Sequence, residues 1–322
     1  MRVEETLDDE TRPALYFVHR DGALGDMGYV DDIYSALASC ADEKNMLLSS
    51  VEFEPDTVTD FSIDYFLHYA QRIGNGQRRS LIVVLNDNME ELVRSYEPRL
   101  AELPNTDVLL LESRDTTLAV NTLCISTLGV LYQAGRLVGE VMDDVNRVLV
   151  VTADSVTPSL HSMRTAFVDG LDESGRKVEA DWMSLDGVSG YEALDSMYRF
   201  AYSVADTYQL VLPLCGGSAR GFYRFNGEHP SAFYSVGVDL HIGEISYYDQ
   251  DAPFSVAKNM LLAVREWVMD WYEGKPQARH LLCGMESEYT DLELSDDFGN
   301  KYAKDAQRLA EAAKRKEKEY EN

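Results

Sequence analysis

The chain has 322 residues, 45% of them hydrophobic, and 29 Lys+Arg stand against 56 Asp+Glu for a formal net charge of −27 at pH 7. That charge repels phosphate backbones and anionic bilayer surfaces, so it excludes nucleic acid as an expected partner and disfavours a polyanionic ligand. No apolar run reaches the roughly 18–20 residues that span a bilayer, and the acidic opening MRVEETLDDETRP lacks the apolar core of a signal peptide.

Strand-like and helix-like segments alternate along the chain. ALYFVH (14–19) is a buried-strand candidate, and a helix is expected around 31–45. LLSSVEF (47–53) precedes FSIDYFLHYAQRI (61–73), whose apolar residues recur at helical spacing. SLIVVLN (80–86) precedes MEELVRSYEPRLAEL, and DVLLLES (107–113) and NTLCIST (121–127) follow. In LGVLYQAGRLVGEVM (128–142), Gly135 and Gly139 imply close packing against a neighbouring element.

The rhythm then restarts. RVLVVTA (147–153) leads to a helix near 158–172, and KVEADWMS (177–184) leads to YEALDSMYRFAYSVA (191–205). YQLVLPLCG (208–216) leads to a short helix near 217–225. AFYSVGVD (232–239) comes next, then the long segment 254–274, and 300–322 reads as a solvated, largely polar terminal helix. Apolar strands alternating with amphipathic helices imply βαβ units and parallel sheets. Two successive sets of four or five strands imply two lobes, so the expected class is α/β, each lobe a parallel sheet flanked by helices, with a C-terminal helical tail. The expected boundaries are 14–127 plus about 250–280 for the N-terminal lobe, 128–249 for the C-terminal lobe, and 281–322 for a crossover segment and the terminal helix. Ligands of such sheets bind at the carboxyl ends of the strands.

Cys40, Cys124, Cys215 and Cys283 form no CxxC pair, and three of them sit in apolar runs, as buried free thiols do. His19, His68, His161, His229, His241 and His280 show no metal-ligand spacing and no triad pattern, so neither a metal nor a cofactor is expected. His19 ends the first strand, where a cleft-facing and a packed ring both remain open. GGSARG is neither a nucleophile elbow nor a phosphate loop. With no catalytic constellation, binding is expected rather than turnover.

Candidate binding residues lie where strands end. Asp26 and Tyr29, in GALGDMGYVDD, offer a hydrogen-bond acceptor and a stacking platform; the alternative is a helix-capping carboxylate beside a packed aromatic. Gly216 and Gly217 let backbone N–H groups approach a ligand, or simply turn the chain. Asp239 ends AFYSVGVD and suits sugar hydroxyls or a base N–H, unless it caps a helix. Lys258 is placed to donate to a ligand oxygen, or to pair with Asp239 or Glu112.

Six short segments in order carry a family resemblance: GDMGYVD (25–31), YQAGRLVGEVM (132–142), RVLVVTADSVTPSLHSMRTAFVDGL (147–171), LPLCGGSARGFY (212–223), SVGVDL (235–240) and FSVAKNM (254–260). With them the chain resembles the basic membrane protein family, substrate-binding lipoproteins of bacterial ABC importers whose characterised members bind purine nucleosides. The resemblance implies the type I periplasmic-binding fold, a small near-neutral ligand with a nucleoside as the leading candidate, a membrane permease as partner, and a lipid-anchored periplasmic or cell-surface location with the signal segment absent from this sequence. It adds Glu112 as the carboxylate closing the fourth strand. Val30 stands where the family has Asn, and Ser184-Leu185-Asp186 stands where a second stacking aromatic is expected. A ligand-sensing regulator of the same fold and a nucleoside-processing enzyme are the alternatives.

Overall fold

A computed structural model of the chain describes residues 12–20, 23–25, 28–53, 78–86, 89–186 and 190–321. Asp26 and the helix expected over 61–73 lie outside the described residues. The chain divides into two compact units, Met1–Cys124 with Met260–Cys283, and Ile125–Asn259 with Gly284–Asn322.

Unit 1 is built on a sheet of β1 (Ala14–Arg20), β2 (Leu47–Phe53), β3 (Ser80–Leu85), β4 (Thr106–Leu111), β5 (Asn121–Ile125) and β12 (His280–Cys283), in the order β12-β5-β4-β3-β1-β2. β1 pairs in parallel with β2 and β3, which places Ala14 beside Leu47 on one side and Ser80 on the other. β3–β4 and β4–β5 are parallel as well. All six residues of β3 are buried, as expected of a strand covered on both faces.

Helix α1 (Tyr29–Lys44) buries Val30, Ile33, Leu37, Cys40 and Ala41, the spacing of a single helical face. Helix α2 spans Glu90–Leu100. Cys40 Sγ lies 3.7 Å from the Arg265 carbonyl, and Arg265 pairs with Glu43 at 2.7 Å, so α1 packs on the helix Met260–Glu273, which buries Trp267 and Trp271. Trp271 Nε1 donates to Asp107 Oδ2 at 2.8 Å, fixing that helix to the start of β4.

Unit 2 contains helix α3 (Leu128–Val141), β6 (Arg147–Thr152), α4 (Pro158–Glu173), β7 (Glu179–Ser184), α5 (Leu194–Val204), β8 (Leu210–Leu214), a 3₁₀ turn (Gly216–Ala219), α6 (Arg220–Glu228), β9 (Tyr234–Ser235), β10 (Gly237–Val238), α7 (Ile242–Ser246) and β11 (Phe254–Lys258). In chain order α8 is then Met260–Glu273 in unit 1, and β13 (Thr290–Leu294) and α9 (Asp296–Tyr320) complete unit 2. One sheet runs β7-β6-β8-β9, all parallel; the other runs β10-β11-β13.

The expected single strand over 232–239 is therefore split. Tyr234–Ser235 pairs with β8, Val236 N still donates to Val211 O, and Gly237–Val238 pairs with β11. The segment 254–274 is likewise a strand followed by a helix. β11 pairs with β13 antiparallel inside unit 2, whereas the sequence reading grouped 250–280 with the first lobe. Its five residues are all buried, and burial of that run as a strand outweighs its helical pattern.

Helices α3 and α4 approach closely because both carry glycine at the crossing. A Cβ on Gly135 would lie 2.1 Å from the Phe167 carbonyl oxygen, and one on Gly170 would lie 2.2 Å from the Tyr132 carbonyl oxygen. We expect Gly135→Ala to destabilise unit 2 by about 1–3 kcal/mol despite alanine's better helix propensity, because backbone must move to admit the methyl group. Urea unfolding checks this, and an unchanged or raised midpoint contradicts it.

The terminal segment corrects the expected solvated tail. Residues 280–283 and 290–294 are strands, and α9 packs on α3. Ala306, Leu309, Ala313 and Glu317 are buried at helical spacing, Gln133 Nε2 donates to the Ala306 carbonyl at 2.8 Å, and Arg308 pairs with Glu140 at 2.7 Å. Small residues on this face let a charged-looking sequence pack, so composition alone understated its burial.

Candidate functional site

The carboxyl edge of the unit 1 sheet gathers polar groups at the ends of apolar strands. His19 is not open to ligand: it is 2% exposed, with Nε2 2.6 Å from Ser50 Oγ and Nδ1 2.8 Å from the Arg20 carbonyl oxygen. After β1 the chain turns through Gly25, whose φ of +91° lies in the left-handed region and whose N–H donates to Asp31 Oδ1 at 2.8 Å. Asp31 thus pins the loop across the first turn of α1 and adds negative charge at that helix N-terminus. Tyr29 is the first residue of α1 and is half-buried, while Val30 faces the core.

Beyond β4, Glu112 takes a left-handed backbone with φ +59°, while its N–H still donates to the Leu123 carbonyl at 2.7 Å. Its carbonyl accepts Asn86 Nδ2 at 3.3 Å. Glu90 Oε2 accepts both Asn86 Nδ2 and Ser113 Oγ, at 3.3 and 2.7 Å. Asn86, Glu90 and Ser113 thereby form a fixed polar rim around Glu112. Of these, only the polar residue closing the apolar run SLIVVLN is a signal visible in the sequence.

In unit 2 the ends of β6, β7 and β8 are tied by short turns. Asp154 Oδ1 accepts the N–H groups of Val156 and Thr157 at 2.8 and 2.6 Å, and Oδ2 accepts Thr157 Oγ1 at 2.7 Å. Burial pushes the Asp154 carboxyl up, but these hydrogen bonds more than offset it and hold it below the usual range. Asp186 accepts Ser155 N at 2.9 Å and Ser184 Oγ at 2.5 Å, which keeps its carboxyl low too. Leu185 is buried and therefore offers no surface to a ligand.

Gly216 has φ +52°, and a Cβ there would lie 2.9 Å from Tyr191 Cδ1. Ser218 Oγ donates to the Gly190 carbonyl at 2.7 Å and accepts the Ala193 N–H at 2.8 Å. Gly190 in turn touches the Ala153 backbone so closely that a Cβ would overlap it. Together these contacts set the Tyr191 ring, 38% exposed, over the Gly216 turn at the carboxyl edge of this sheet. The spacing of YEALDSMYRFAYSVA places Tyr191 at the start of a helix, but the helix begins at Leu194 and Tyr191 lies in the turn before it.

Asp239 follows β10 with φ +61° and pairs with the buried Lys258 at 3.7 Å, one of the arrangements the sequence left open. Nearby, His241 Nδ1 lies 2.6 Å from Glu293 Oε1, and Glu293 Oε2 accepts Ile242 N at 2.9 Å. Glu112 lies in unit 1; Gly216, Gly217, Asp239 and Lys258 lie in unit 2. A groove of about 260 Å³ between α4 and β7, where Arg164 stacks on Trp182 at 4.1 Å, involves none of the predicted residues.

All four cysteines are free and buried, and complete burial pushes the Cys215 thiol far up, so it is no thiolate nucleophile. Among the described residues no group of three or more His, Cys, Asp and Glu is placed to hold a metal ion. None of the described helices is long and apolar enough to cross a membrane.

No family model matches the sequence, and no curated protein matches it. Solved structures do resemble it. A solute-binding protein of an ABC transporter system from Aeropyrum pernix K1 aligns at 15% identity with TM-score 0.71, covering 96% of this chain and 86% of that one. The fold is that of the type I periplasmic binding proteins. A transcriptional activator of the comK gene from Bacillus halodurans aligns at 13% identity and TM-score 0.70, over 93% and 96% of the two chains. A periplasmic ABC transporter solute-binding protein from Actinobacillus succinogenes 130z, solved with bound D-allose, aligns at 11% identity and TM-score 0.67, over 90% and 100%.

Proposed function

We propose that the chain is a solute-binding receptor that captures a small, near-neutral solute and delivers it to the membrane permease of an ABC importer. The observation that carries this reading is the polar and aromatic equipment at the carboxyl edges of both units: Tyr29, Glu112 and Asn86 in one, Tyr191, the Gly216–Gly217 turn, Asp239 and Lys258 in the other. In this reading the Lys258–Asp239 pair presents a donor and an acceptor to hydroxyl or ring nitrogen groups of the solute. Tyr29 and Tyr191 supply flat apolar surface, each worth about 1–3 kcal/mol against a base. Asp26, outside the described residues, is proposed as a further hydrogen-bond acceptor for the solute.

The finer proposals rest on the resemblance to basic membrane proteins: a purine nucleoside as ligand, an extracytoplasmic location and a lipid anchor. The allose-bound neighbour makes a monosaccharide the competing ligand class. The test is thermal melting with adenosine, guanosine, inosine, ribose, allose and glucose. At least one should raise the melting temperature, by an amount that grows with concentration as binding to the folded state requires. No shift with any nucleoside removes the nucleoside proposal. The activator neighbour supports a ligand-sensing regulator as the second reading; binding of the same solute without a cognate permease favours it.

A further inference from the structure

Strand β7 ends its sheet: β6 lies on one side, and among the described residues no strand lies on the other. Glu179 N donates to the Asn146 carbonyl and Leu185 N to the Thr152 carbonyl. In this parallel register, Glu179, Asp181 and Met183 therefore turn their main-chain groups toward β6. Successive residues of a strand alternate, so the N–H and C=O groups of Ala180, Trp182 and Ser184 face the open side of the sheet.

The groove between α4 and β7 runs along this edge, lined by Val150, Arg164, Val168, Asp169, Ala180 and Trp182. The Trp182 ring is 41% exposed, whereas Trp267 and Trp271 are buried. The ring is held in place: Nε1 donates to Thr152 Oγ1 at 3.0 Å, the Arg164 guanidinium lies 4.1 Å from a ring centroid, and His161 meets it edge-on at 5.6 Å. Tryptophan and arginine are the side chains that most often anchor protein interfaces. The opposite face of β7 carries Glu179 and Asp181. Both pair with Arg147, at 3.6 and 2.6 Å, and Lys177 lies 4.0 Å from Glu179. The edge is thus locally neutral on a chain whose net charge is −27.

We propose that β7 and the Trp182 groove dock an extended, basic segment of another protein, added to the sheet as a further strand. Its backbone pairs with Ala180, Trp182 and Ser184, and the apolar side chains of its one face fill the groove against Trp182. Its alternate side chains then lie beside Glu179 and Asp181. These two carboxylates share Arg147 and are both exposed by more than a third, so an incoming lysine or arginine finds a partner there. The charge of −27 draws a basic segment from a distance and repels a second copy of this chain. The inference stands whether or not the receptor reading is right.

The test titrates a capped peptide, Lys-Val-Lys-Tyr-Lys-Val-Lys, into the full chain at low salt and follows amide exchange residue by residue. The Ala180 and Trp182 amides should slow by about tenfold or more, while those of Glu179, Asp181 and Met183, already turned toward β6, change little. Ala180→Pro removes an outward N–H and leaves the β6 ladder its donors, so the peptide should bind it about tenfold or more weakly. If that variant does not fold, the peptide carries the test. Methylating alternate peptide nitrogens should abolish binding in one phase and preserve it in the other. Equal binding in both phases, or unchanged exchange at Ala180 and Trp182, overturns the inference. Equal affinity for a peptide with glutamate in place of lysine overturns its basic character. Self-association of the parent in sedimentation, lost in Ala180→Pro, gives the edge to a second copy and overturns it as well.

Discussion

Replacing Tyr191 with alanine is expected to weaken solute binding by about ten- to a hundredfold, the loss of one stacking surface worth about 1–3 kcal/mol. Unliganded stability should change by less than about 1 kcal/mol, because the ring is 38% exposed and covers a glycine turn, not the core. Tyr191→Phe should bind within a few-fold of the parent. The geometry behind this expectation is the pinning of residues 190–193 by Ser218 and Ala153, which leaves the ring little freedom to lose when ligand arrives. Calorimetric titration of the three proteins with the best-stabilising solute checks it. Equal affinities for the alanine variant and the parent return Tyr191 to a surface role.

Asp249 should make stability depend on pH in an unusual direction. Asn226 Nδ2 donates to Asp249 Oδ2 at 3.0 Å, to Ser235 Oγ at 2.8 Å and to the Phe233 carbonyl at 2.7 Å, and both Asn226 and Asp249 are 1% exposed. Burial pushes the Asp249 carboxyl up to about 6, against the pull of the hydrogen bonds from Asn226 and Asp251. The folded state therefore holds this proton more tightly than the unfolded chain, whose carboxyl titrates near 3.9. Its contribution to stability is full below the unfolded value and is lost as pH rises through about 6. Between pH 4 and pH 7 that loss amounts to about 2 kcal/mol.

Carboxylates held low, such as Asp154 and Glu173, lose stability on the acid side and run the other way. The informative quantity is therefore the difference between parent and Asp249→Asn. Relative to the variant, the parent should lose about 2 kcal/mol of unfolding free energy from pH 4 to pH 7. Parallel pH profiles would show that Asp249 ionises in the fold as freely as in the unfolded chain.

The fold was largely legible because it rests on period and burial. Runs such as ALYFVH and SLIVVL are apolar on both faces, which only a covered parallel strand requires, and both are strands. Helix α1 shows its buried face at the expected spacing. What escaped were elements decided by partners far away in sequence. β11 and β13 are short, and each is a strand because the other lies beside it, a pairing no local window contains. The terminal helix looked solvated because alanine and one buried glutamate carry its contact face.

The candidate site was legible only in part, for a related reason. Gly216 announces a turn, but that an aromatic from 191 covers it depends on Ser218 and Gly190 closing a loop of unrelated sequence. Lys258 could be named as a cation without a fixed partner; the choice of Asp239 follows from β10 and β11 lying side by side. Asn86 and Glu90 gain meaning only where β3 and β4 end together.

Hydrogen exchange with and without the solute that gives the largest thermal shift tests the central claim most directly. If the chain is a receptor that holds its solute at the carboxyl ends of its strands, protection should rise among residues 29–33, 112–113, 190–193, 216–219 and 239–241. Protection that leaves all of these segments unchanged, or that centres on the groove beside Trp182, would contradict it.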